Sequence, residues 1–123
     1  MAARDMSQRF PRRVYGVGDE PDPRFSLANE RTYLAWTRTA LALFAAGVAL
    51  EALEVPIDGE LRMWAAALFV VLGILAAVEG LLGWFRTEKA MRLRTPLRGP
   101  SVAPILTVGM IVGVVMVAVG LLR

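Results

Sequence analysis

Hydrophobic residues gather in three long runs along this chain, and polar residues are largely confined to the gaps between them. Ala40–Leu50 and Met63–Val78 carry only apolar or small side chains, and Ala103–Leu122 has Thr107 as its single hydroxyl. Together with its flanks, each run exceeds the roughly 18 residues that mark a membrane-crossing helix. Leu27–Thr39 leads into the first run with an amphipathic pattern. The spacing predicts helix one over about 23–55, helix two over about 62–86 and helix three over about 102–122. Asp22 before Pro23 is an acidic cap followed by proline in the first turn, with Ser26 as an alternative cap. Pro56, Asp58 and Gly59 make the turn after helix one, while Thr95-Pro96 and Gly99-Pro100 punctuate the second connection. The fold class is therefore an all-α membrane protein with three transmembrane helices. Its membrane domain covers 22–123 and leaves little of the chain outside the bilayer. Residues 1–21, with scattered Arg, Gly and Pro and no apolar periodicity, read as a flexible tail. The first run starts too far into the chain and is too long for a cleavable signal peptide. Gly16-Val17-Gly18 has no strand before it and is no phosphate loop.

Charge orients this pattern. Of 14 Lys and Arg, seven precede or enter helix one (Arg4, Arg9, Arg12, Arg13, Arg24, Arg31, Arg38). Five lie between helices two and three (Arg86, Lys89, Arg92, Arg94, Arg98), and Arg62 and Arg123 are the remainder. The positive-inside rule then puts the N-terminus and second loop in the cytoplasm and the C-terminus outside. A pI near 10.2 is explained by these flanking charges, which serve topology and lipid headgroups, so nucleic acid is not an expected partner. The chain has no Cys and no His, which removes thiol nucleophiles, imidazole acid–base chemistry and the usual zinc sites. Ser26 and Ser101 have no activating base nearby, so no catalytic residue, metal or cofactor is expected and the chain does not read as an enzyme.

Four charges call for explanation within the membrane or at its edge. Arg31 and Arg38 are seven residues apart and project within about 20° of one another on helix one. Ala42, Ala45 and Ala49 continue their side. Such a stripe reads either as snorkelling arginines above a helix-packing face, or as an anion-contacting path lined by arginine and narrow below. Glu30 reads either as half of a helix-surface ion pair, worth only tenths of a kcal/mol if exposed, or, in a partly buried site, as the group that holds an arginine in position. Glu79 lies inside helix two, where an unpaired carboxylate costs on the order of 3 kcal/mol. It reads as a tie to Arg38 or Arg86, or as a gating carboxylate on a permeation route. Arg86, Lys89 and Arg92 form a basic cytoplasmic rim. Glu51, Glu54, Asp58 and Glu60 make the opposite end acidic, which disfavours anion passage. Small residues on helix two (Gly73, Ala76, Ala77, Gly80, Gly83) and Gly109-xxx-Gly113 on helix three offer close-approach faces. Three helices cannot enclose a water-filled pore, so a homo-oligomer is expected.

The segment Asp22-Pro-Arg-Phe-Ser-Leu-Ala-Asn-Glu-Arg-Thr-Tyr-Leu-Ala-Trp-Thr-Arg-Thr-Ala40 closely resembles the YidH family of small bacterial inner-membrane proteins, classed as a domain of unknown function. Arg86-Thr-Glu-Lys-Ala-Met-Arg-Leu93 is a second match, and Tyr33 stands where phenylalanine is commoner. The resemblance implies a multi-pass protein of the bacterial inner (plasma) membrane. The domain is also similar to the membrane domain of the vacuolar transporter chaperone, a polyphosphate polymerase. That likeness implies a pentamer-like assembly in which Arg31 and Arg38 meet a polyanion, and nothing catalytic. The reading that follows is a homo-oligomeric channel or transport component for anions, with phosphate or polyphosphate as candidate substrates. The alternative is a non-transporting structural or accessory membrane subunit.

Overall fold

The computed structural model describes residues 10–97, 99 and 101–123. Arg4, Arg9 and Arg98, counted above among the orienting charges, lie outside the described residues. Four helices follow in order: α1 (Arg12–Tyr15), α2 (Pro23–Ala52), α3 (Gly59–Leu93) and α4 (Ala103–Leu122). The last three are long and apolar enough to cross a membrane. Asp22 caps α2 by accepting a hydrogen bond from the Arg24 amide at 2.9 Å, with proline in the first turn. The Arg24 side chain, and then that amide, hold the Asp22 carboxyl below the ordinary aspartate range. Asp58 likewise caps α3, accepting from the Leu61 amide at 3.2 Å. Ser26, the alternative cap, instead donates to Glu88.

Alpha-3 is the central element, packing on both α2 and α4. Its contact with α2 is close because glycine and alanine remove side-chain bulk at the crossing. A Cβ at Gly47 would lie 2.8 Å from the Ala66 carbonyl oxygen, and one at Gly80 would lie 2.7 Å from the Trp36 Cβ. Against α4, Leu72 and Phe69 fill the space over Gly109 and Gly113. The core is Ala40, Leu43, Phe69, Leu72, Ala76 and Leu106. The glycine and alanine faces are therefore largely spent on packing within the chain, which withdraws them as an argument for self-association. At the acidic end, Arg62 pairs with Glu51 at 3.4 Å, Arg123 lies 3.9 Å from Asp58, and the Asp58 amide donates to the Gly120 carbonyl at 3.3 Å.

Three sequence expectations are revised. Alpha-2 stops at Ala52 rather than near 55, the chain reversing through Glu54 at φ 48°. Alpha-3 runs seven residues beyond the expected end at 86 and closes at Arg94 in the left-handed region. The extension is built of good helix formers, Arg86-Thr-Glu-Lys-Ala-Met-Arg-Leu93, so the helix outlasts its apolar run. Gly109 sits on Leu72, so α4 begins level with about Val78, and α3 continues about 22 Å past that point at 1.5 Å per residue. The basic end is thus a stem of α2 and α3 standing clear of α4, where the sequence pattern predicts little outside the bilayer. Third, the part of the tail that the structure describes is packed: residues 10–21 fold back onto that stem, with Val14 buried.

Candidate functional site

Polar side chains at the basic end fall into three groups. The first is a clamp between α2, α3 and the N-terminal segment. Asn29 is buried and donates to the Trp84 carbonyl at 3.2 Å and to Glu88 at 3.3 Å. Glu88, 3% exposed, also accepts from Ser26 at 3.2 Å. One turn further on, Arg92 is 4% exposed and donates to the carbonyls of Val17 at 2.7 Å and Tyr15 at 2.9 Å and to the Glu20 carboxylate at 2.9 Å. Its guanidinium carbon stands 5.4 Å from the centroid of the Tyr15 ring, in cation–π range. Gly18, at φ 60°, lets the segment turn against the Arg92 carbonyl, where a side chain has no room. Arg92 is therefore not a rim residue. Its charge is enclosed by carbonyls and a carboxylate, which offset the desolvation of a buried cation.

The second group is Glu79 and Arg86. Arg86 donates to Glu79 at 2.7 Å along one face of α3, and Glu79 is mostly covered. Of the two ties foreseen for Glu79, this one forms, and Arg38 takes no part. The pair lines a cleft of about 600 Å³ between α2, α3 and the connection to α4, whose walls also include Tyr33, Trp36, Lys89 and Ser101.

The third group is the stripe on α2. Asn29, Trp36, Ala40, Leu43 and Gly47 turn toward α3, and at 100° per residue Arg31 and Arg38 fall about half a turn away, on the opposite face. Both arginines and Glu30 are exposed, and none is in an ion pair among the described residues. Ala42 and Ala45 below them are exposed and Ala49 is half-buried. The packing of Trp36 on Gly80 and of the Ala40 carbonyl near Gly73 sets Arg38 at the level of α3 between those glycines. Asn29, Glu88 and the burial of Arg92 escape a reading of the sequence by charge alone. The spacing of Glu88 and Arg92, one turn apart on a helical segment, is the signal that could have found them.

Three membrane-length helices with a polar stem define a small, all-helical integral membrane protein. Residues 24–90 match the model of a domain of unknown function, DUF202. An uncharacterised protein of Mycobacterium tuberculosis is 48% identical over 102 residues, covering 80% of this chain and 83% of that protein. The inner membrane protein YidH of Escherichia coli is 44% identical over 111 residues, covering 87% of this chain and 92% of that protein. YidH of Shigella flexneri stands at the same identity and coverage. The chain belongs to the DUF202 family, which includes YidH. No solved structure matches it significantly.

Proposed function

We propose that this chain is a homo-oligomeric channel or transport component for anions, with the Arg31–Arg38 side of α2 turned toward a water-filled path between copies. It is a multi-pass protein of the inner membrane, supported by its three span-length helices and by the name of its relatives, inner membrane protein YidH. On this reading the basic stem faces the cytoplasm, as the distribution of Lys and Arg favours.

The observation that carries the proposal is Arg38, exposed, without a carboxylate partner among the described residues and on the face of α2 turned away from α3. Arg38 and Glu51 bound a charge-free stretch of 12 residues, 39–50. At 1.5 Å per residue that stretch covers about 18 Å, well short of a hydrocarbon core of about 30 Å. Glu51 is answered by Arg62. Arg38 is left to be satisfied by something outside the protomer, and a hydrated path between copies does so without exposing the cation to acyl chains. The small side chains of Ala42 and Ala45 allow a second α2 to approach. The resemblance to the polyphosphate polymerase membrane domain supports a phosphate-bearing anion as cargo.

In liposomes the purified protein is expected to pass anions, and Arg38→Ala to lower that flux about tenfold through loss of local anion concentration. Unchanged conductance in Arg38→Ala would remove the lumen assignment. A non-transporting accessory subunit is the competing reading, supported by the way Glu79–Arg86 and Arg92 spend their charges on ties within the chain. No flux from any preparation, together with retention of one specific membrane partner, would select it.

A further inference from the structure

The cleft beside Glu79 and Arg86 lies apart from the α2 stripe. It opens where α3 has outrun α4, at the depth where apolar side chains give way to charged ones, and α4 begins just below it. Its lining joins the apolar Trp36 and Gly83 to Arg86, Lys89 and the Ser101 hydroxyl. Arg86 spends one N–H on Glu79 at 2.7 Å. A guanidinium has five such donors, and no other acceptor among the described residues takes them. Lys89 is exposed and has no described partner. Alpha-4 starts at Ala103, two residues after Ser101, with no side-chain cap. Among the described lining residues Glu79 is the one opposing charge, and its bond to Arg86 neutralises it while fixing the guanidinium in place.

We infer that this cleft binds a phosphate group, held by Arg86, Lys89 and Ser101, with an apolar portion of the ligand against Trp36 and Gly83. Phosphate carried by an anionic phospholipid and free phosphate share this chemistry. The amphipathic lining favours the lipid.

The test is native mass spectrometry of the full chain in detergent, titrated with phosphatidylglycerol or with phosphatidylcholine of the same acyl length. Phosphatidylglycerol is expected to be retained over phosphatidylcholine, and Lys89→Gln to weaken it about tenfold, as expected for losing a charged hydrogen bond. Gly83→Leu fills the cleft without removing a charge: a Cβ there meets the Glu79 carboxylate oxygen at 3.6 Å, an ordinary van der Waals contact, so folding should survive while lipid retention falls equally. Because Arg86→Gln alone strands Glu79, the double change Glu79→Gln/Arg86→Gln is the proper probe of that pair. Arg38→Gln should leave retention unchanged, which separates this site from the proposed path. Displacement of the lipid by millimolar inorganic phosphate identifies free phosphate as an occupant, and resistance to it identifies the lipid; either supports the site. Equal retention of both lipids, or wild-type binding by Lys89→Gln and Gly83→Leu, overturns it.

Discussion

Arg92 illustrates how little a residue's type says about its work in a membrane protein. A basic residue after an apolar run is ordinarily a topology signal, and charge alone does not separate Arg92 from Lys89 or Arg94. The structure does so through burial: Arg92 binds two backbone carbonyls and Glu20, and Lys89 is exposed. Arg92→Ala is expected to release residues 10–21 from the stem, lower stability by about 1–3 kcal/mol from the lost charged hydrogen bonds, and hasten tryptic cleavage after Arg12 or Arg13. Glu88→Gln should be far milder than Glu88→Ala, since a glutamine still accepts from Asn29 while alanine leaves that buried amide without its side-chain acceptor. Thermal unfolding with timed proteolysis distinguishes these outcomes. Arg31, Arg38 and Glu30 were legible as exceptions because charge at membrane depth demands a reason. Asn29 was not, because an uncharged amide beside Glu30 and Arg31 announces no partner 59 residues away.

The helices themselves were legible almost throughout, since apolar length alone dictates a span. The errors fall at their ends, where propensity and polar contacts take over from hydrophobicity. Alpha-3 extends past Arg86 because its polar continuation favours helix and is clamped through Glu88 to Asn29. Glycines along α3 read alike in sequence, but their neighbours divide them. Gly80→Val drives a branched side chain into Trp36, and a cost of about 1–3 kcal/mol is expected from overpacking. Gly83→Ala places its Cβ in ordinary contact with the Glu79 carboxylate at 3.6 Å and should be neutral or stabilising by up to about 1 kcal/mol, because alanine favours helix. Parallel thermal melts of the two variants would expose an error in the α2–α3 register if their order were reversed.

At the scale of the molecule, α3 serves as a shared spine. It exceeds both neighbours in length and carries α4 on its lower part, α2 along most of its length and the N-terminal segment at its upper end. This plan leaves the outer side of α2 without a partner among the described residues of the protomer. It also gives the protein a lopsided hydrophobic girdle: α4 presents 20 residues between its ends, whereas α2 presents 12 between Arg38 and Glu51. A lone protomer in a flat bilayer must therefore thin the lipid on one flank, at a fraction of a kcal/mol per Å. Thicker lipid raises that penalty, and pairing the short flanks removes it. The chain has no cysteine, so Ala45→Cys on the exposed side of α2 reports such pairing as a disulfide-linked dimer. Its yield is expected to climb as acyl chains lengthen from 14 to about 20 carbons, and a flat response would dissociate assembly from this flank. A rising yield would make the bilayer a variable that the protein gauges, with membrane thickness, set by lipid composition, tuning how much of it is assembled.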